Sequence, residues 1–200
     1  MVTEWKNDWD RTWSRFTRQL AVTGASDLPQ LTRRLKAEFK DARVYPDYVG
    51  DLSTLVFAGI RGGDVAAAAS AATMAVDLYP ISDRPYVLAG LCHLVLADVE
   101  RGRSSITKAH GIDPNGAAGS GALNSQAYRL KAYGYTESGL EILKIALELH
   151  PDVAILYDSA GEFCLELGDR DRAIEYYETA LEVDPEFENA RSMLEKIREK

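Results

Sequence analysis

Apolar residues recur at helical spacing along this chain. Near the N-terminus Trp5, Trp9, Trp13, Phe16 and Leu20 fall every three or four positions, which predicts a helix over residues 3–22 bearing an aromatic stripe. Leu31, Leu35 and Phe39 continue the period and predict a second helix over 28–43. The stretch from Arg84 to Ala97 is apolar all round. Such a helix should be covered on every side, because each exposed Val or Leu forgoes roughly 1.5–3 kcal/mol of burial. At the far end Met193, Leu194 and Ile197 share one side of a segment that is otherwise charged, the pattern of a solvating last helix over 188–200.

Between these ends four segments close alike: Asp77-Leu78-Tyr79-Pro80, Gly111-Ile112-Asp113-Pro114, Glu148-Leu149-His150-Pro151 and Glu182-Val183-Asp184-Pro185. The prolines lie 34, 37 and 34 residues apart. A period of that length marks a repeat architecture in which each unit buries its apolar face against its neighbours. The units are 49–82, 83–116, 120–153 and 154–187, with Ala117 to Gly119 as a Gly-rich insertion between the second and third. Val44-Tyr45-Pro46 echoes Leu78-Tyr79-Pro80, so residues 1–48 read as the aromatic helix plus a degenerate leading hairpin.

The last unit carries Tyr157, Ala160, Gly161 and Cys164, then Gly168, Ala173, Tyr177, Ala180 and Pro185, at its positions 4, 7, 8, 11, 15, 20, 24, 27 and 32. This resembles the tetratricopeptide repeat. Large residues at positions 4 and 11 and small ones at 8, 20 and 27 let two antiparallel helices approach closely, and the proline stops the second helix. Gly90, Gly102 and Ala109, Gly134, Leu143 and Ala146, and Gly63 and Ala75 match in the same register. The resemblance implies an all-α fold, a right-handed α-solenoid of antiparallel helix pairs. Leu52 and Leu123 replace the aromatic at position 4, and Gly102 and Gly139 replace the alanine at position 20. Glycine weakens a helix by roughly 1 kcal/mol, so the second helices of repeats two and three are expected to start late. The tandem from Leu123 to Glu188 is also similar to repeat pairs appended to bacterial serine hydrolases, which implies an accessory module.

Family resemblance places positions 2, 5, 9, 12 and 13 of each first helix on a concave groove. Phe57, Val87, Leu91, Leu94, Val95, Asn124, Tyr128, Asp158 and Glu162 are the candidate peptide-binding residues there. The apolar Arg84–Ala97 helix could be covered by the aromatic helix, by an apolar segment of a partner, or by another copy of the chain. Trp5, Trp9, Trp13 and Phe16 are the candidate latch or self-association residues. Relatives that grip a peptide's C-terminal carboxylate present Lys and Asn at positions 5 and 9 of the first repeat; here Ser53 and Phe57 stand there, so that clamp is absent.

Composition narrows the function classes. The 200 residues are 46% hydrophobic, which suits a globular chain, and the net charge of -8 disfavours nucleic acid or an anionic membrane as partner. Residues 154–200 hold 13 acidic and 6 basic side chains, while residues 1–48 hold 7 and 9. If that excess is functional, Asp158, Glu162 and Glu166 favour a basic segment running past an apolar anchor. No stretch approaches a membrane span, and Cys92 and Cys164 fit a reducing, cytoplasmic setting rather than a disulfide framework. Ser105-Ile106-Thr107-Lys108 matches a Ser-x-x-Lys pair without its usual companions, and His93, His110 and His150 lack metal-ligand spacing. The expectation is a non-enzymatic scaffold, without metal or cofactor, binding an apolar or amphipathic peptide. A self-assembling homo-oligomer and a hydrolase accessory module are the alternatives.

Overall fold

The computed structural model describes residues 27–38 and 49–199, and there it is an all-α solenoid. Its helices are α1 (Leu28–Glu38), α2 (Val49–Gly62), α3 (Val65–Leu78), α4 (Asp83–Val95), α5 (Val99–Ile112), α6 (Ser120–Ala132), α7 (Thr136–Leu149), α8 (Ala154–Glu166), α9 (Arg170–Val183) and α10 (Glu188–Arg198). Helices α2 to α9 form four antiparallel hairpins, α1 packs on α3, and α10 packs on α9. The aromatic segment with Trp5, Trp9, Trp13 and Phe16 lies outside the described residues, as do Phe39 and residues 44–46.

Each hairpin turns in the same way. Its fifteenth residue has positive φ: Gly63 at 80°, Ala97 at 61°, Gly134 at 90° and Gly168 at 82°. In the last three hairpins the next residue's N–H then reaches back five residues, as in Asp98 to the His93 carbonyl at 2.8 Å and Asp169 to Cys164 at 2.8 Å. That bond ends the first helix with a left-handed residue, a conformation in which glycine is unstrained. The sixteenth residue caps the second helix. Asp64, Asp98 and Asp169 accept the N–H of the residue three positions on, at 3.0, 3.2 and 3.2 Å. Tyr135 occupies that place in the third hairpin and makes no side-chain cap.

The second helices of repeats two and three do not start late. They begin at Val99 and Thr136, the same repeat position as Val65 and Arg170. Close approach explains why glycine is kept there in spite of its propensity. A Cβ on Gly102 would lie 2.6 Å from Leu94 Cδ2, and one on Gly139 would lie 2.6 Å from Phe163 Cε1 and 2.9 Å from the Ala127 carbonyl oxygen. Opposite Gly102, a Cβ on Gly90 would meet Ile106 Cγ1 at 2.7 Å. Packing gained at the crossing outweighs the entropy of one glycine.

Stacking is interrupted once. Successive hairpins elsewhere meet through the second helix of one and the first helix of the next, as α3 meets α4 and α7 meets α8. Between hairpins two and three, α5 and α6 hardly touch, and α7 instead packs against both α4 and α5. The connection there spans residues 113–119, whereas the others span 79–82, 150–153 and 184–187. It is a built turn: Asp113 accepts the Asn115 N–H at 3.0 Å, Asp83 accepts the Ala117 N–H, and His150 Nε2 donates to the Ala118 carbonyl at 2.9 Å. A Cβ on Gly116 would strike the Asp83 carboxylate. Reseated in this way, hairpin three lies against the first two. Tyr135 Oη donates to the Ile60 carbonyl at 3.2 Å and Ser138 Oγ to the Leu94 carbonyl at 3.1 Å, satisfying acceptors in the last turns of α2 and α4.

Two substitutions with opposite sign test this packing in urea denaturation followed by circular dichroism. Gly139→Ala lowers stability by about 1–2 kcal/mol, because overpacking exceeds the gain in helix propensity. Ala97→Gly raises it by about 1 kcal/mol, because the left-handed turn no longer carries a Cβ.

Candidate functional site

Helices α6 and α8 are the first helices of successive units and α10 follows in the same frame, so the repeat offset brings their side chains together. Tyr128 and Glu162 occupy the same position in successive repeats, and Tyr128 Oη donates to Glu162 Oε2 at 2.6 Å. Lys131 Nζ donates to Glu162 Oε1 at 2.8 Å and pairs with Glu166 Oε2 at 2.5 Å. Its ammonium lies 5.0 Å from the centre of the Phe163 ring, which the Tyr128 ring meets edge-on at 5.2 Å. One turn along, the Asn189 amide of α10 donates to both Asp158 oxygens, at 2.8 and 3.0 Å.

The ionisable groups respond to this setting in different directions. Burial alone would raise the Glu162 carboxyl, but Lys131 and Tyr128 outweigh it and hold it below its usual value. Burial would likewise lower the Lys131 ammonium, yet Glu162 and Glu166 keep it above the usual lysine range. Asp158 is raised, chiefly by burial, with Asn189 opposing only in part and the Glu162 charge adding to it. Burial and the Glu162 carboxylate also push the Tyr128 phenol upward.

Of the sequence-derived groove residues, Tyr128, Asp158 and Glu162 are drawn into this one face, with Asn124 half-buried on the same helix as Tyr128. Val87, Leu91 and Leu94 are not presented to a groove. All three are buried, Leu91 completely, because α4 is enclosed by the chain's own α2, α3, α5 and α7. Those four helices are the described elements that pack on the all-apolar helix. Val95 is half-buried against the same core. Phe57 is taken up by hairpin three, with the Arg129 guanidinium 4.2 Å from its ring centre. Asn189 escaped the sequence reading because α10 looked like a solvating cap, yet it holds position 2 of a fifth unit in the same frame.

Elsewhere the side chains carry less chemistry. Lys108, the lysine of the Ser-x-x-Lys match, lies over the Tyr86 ring at 4.4 Å. Both cysteines are buried free thiols, and burial pushes Cys92 up to about 12. His110 and His150 meet edge-on at 5.1 Å. Among the described residues no group of three or more His, Cys, Asp or Glu could hold a metal ion, and no helix is long and apolar enough to cross a membrane.

Comparison with known proteins identifies one of the repeats. The family model described as tetratricopeptide repeat matches residues 154–187, the fourth hairpin. No curated protein matches the sequence. Among solved structures, a thermophilic tetratricopeptide-repeat protein of Thermus thermophilus is 19% identical over 93% of this chain and 97% of its own, with a TM-score of 0.44. A MamA fragment from Desulfovibrio magneticus RS-1 is 18% identical over 77% and 85%, with a TM-score of 0.42. The first repeat domain of Spaghetti, bound to an HSP90 peptide, is 18% identical over 59% and 91%, with a TM-score of 0.41.

Leu91→Arg should now abolish the fold rather than a binding site, lowering stability by at least about 4 kcal/mol as a buried, unpaired charge; an unchanged urea midpoint would contradict the packing of α4. The acid limb of stability offers a second check. Glu162 has a depressed folded value, so its contribution is complete above its ordinary value of 4.5 and is lost as pH falls through the folded one. Glu162→Gln therefore flattens the loss of stability below about pH 4.5. Asp158 has a raised folded value and runs the other way, costing most at neutral pH, so Asp158→Asn leaves the protein at least as stable at pH 7.

Proposed function

Built from tetratricopeptide repeats, this chain is, we propose, a non-enzymatic scaffold that binds an amphipathic polypeptide segment on the inner face of its last two hairpins and closing helix. Helical repeats generate extended concave surfaces of the kind that hold such segments. What carries the reading is the contrast between the two halves of that surface. On the first half, α4 is buried and Phe57 is covered by Arg129. On the second half Tyr128, Lys131, Glu162 and Asn189 remain only partly buried or exposed, and Ile155 is 49% exposed beside them.

Chemically the face suits binding rather than turnover. Its donors and acceptors are locked in pairs with one another, and a passing segment can add hydrogen bonds at their open edges while laying an apolar side chain on Ile155 or the Tyr128 ring. The two buried thiols fit a reducing, cytoplasmic setting.

Selection from a displayed random-peptide library tests this directly. Ligands recovered on the native protein should bind at least tenfold more weakly to Tyr128→Ala, with circular dichroism confirming that the variant is folded. Ligands indifferent to Tyr128 but lost in Arg129→Ala would move the site to the first half and overturn the proposal. Light scattering on the free protein addresses the self-assembling alternative, for which a concentration-independent monomer would be fatal.

A further inference from the structure

The charge balance of the inner face names the chemistry of its partner. Helix α8 turns three carboxylates inward, Asp158, Glu162 and Glu166. Lys131 answers the last two and is used up by them. Asp158, only 8% exposed, is held by the neutral amide of Asn189. A carboxylate withdrawn from water and held by a neutral donor is under-compensated, so a cation supplied from outside gains more there than it would at an exposed acid. Ile155 stands one turn before Asp158 on the same helix face and is 49% exposed, an apolar step beside the charged one. Over a longer range, residues 154–200 hold 13 acidic and 6 basic side chains, which draws a basic segment toward this end of the solenoid.

We propose that the segment bound on α6, α8 and α10 is basic, seating an arginine or lysine against Asp158 with an aliphatic neighbour on Ile155. This rests on the scaffold reading above and specifies its partner. The guanidinium is the better match, since its planar fork can take both carboxylate oxygens that Asn189 now shares. Acidic segments, including carboxylate tails, are repelled by the same three side chains.

A fluorescein-labelled nonapeptide alternating arginine with leucine, and its counterpart with glutamate in place of arginine, provide the probes in anisotropy titrations at about 150 mM salt, where exposed charges are largely screened. The arginine peptide should bind and the glutamate peptide should not. Asp158→Asn, checked for folding by circular dichroism, should weaken the arginine peptide at least tenfold. Glu182→Gln, an exposed acid on α9 with the same change in charge, should alter it less than twofold. Equal weakening by both variants would mean diffuse attraction to an acidic surface and would overturn the assignment, as would binding of the glutamate peptide or no binding of the arginine peptide. The library selection separates the two levels. Tyr128-dependent ligands without basic residues would sink the charge assignment alone, whereas no Tyr128-dependent ligand at all would sink both.

Discussion

Everything in this molecule depends on how closely two helices can cross. A hairpin closes tightly where a missing or minimal side chain at the crossing lets the partner's backbone or ring approach. Gly90 faces Gly102, Ala127 faces Gly139, and Gly161 takes the Tyr177 ring so tightly that a Cβ would sit 2.9 Å from it. These contacts hold the two helices of each hairpin together. Tyr128 reaches Glu162, and Asn189 reaches Asp158, across successive first helices.

The second determinant is a short length of chain. Seven residues, 113–119, join α5 to α6 where the other connections are shorter, and the hydrogen bonds made by Asp83, Asp113 and His150 hold them in one shape. The third hairpin is thereby turned so that α7 reaches both α4 and α5. Two helices rich in buried apolar residues then pack on each other: α4, which carries Val87, Leu91 and Leu94, and α7, which carries Leu140, Ile142, Leu143 and Ile145. The apolar surface that a regular solenoid would offer to a ligand has become core. At the acidic end the faces of α6, α8 and α10 carry charged and polar side chains instead.

Electrostatics at that end follow from numbers of charges more than from their arrangement. One lysine stands among three carboxylates and satisfies the two it can reach, drawing Glu162 down while burial moves Asp158 up. One lysine against three carboxylates leaves this face two positive charges short of balance.

The repeat period was written in the sequence. Pro80, Pro114, Pro151 and Pro185 marked the repeat, and the helices begin at Val49, Asp83, Ser120 and Ala154 as that frame requires. Tyr128, Asp158 and Glu162 were legible because position within a helix fixes which side a residue faces, a local property of 3.6 residues per turn. Local rules could not say that Gly102 and Gly139 would leave their helices intact, since the compensating contacts come from Leu94, Phe163 and Ala127 on other helices. Nor could they show which helices would cover Leu91 or that Asn189 would bond Asp158. Those outcomes turn on how one hairpin sits on another, which the tertiary structure decides through a seven-residue connection and the close packing it permits.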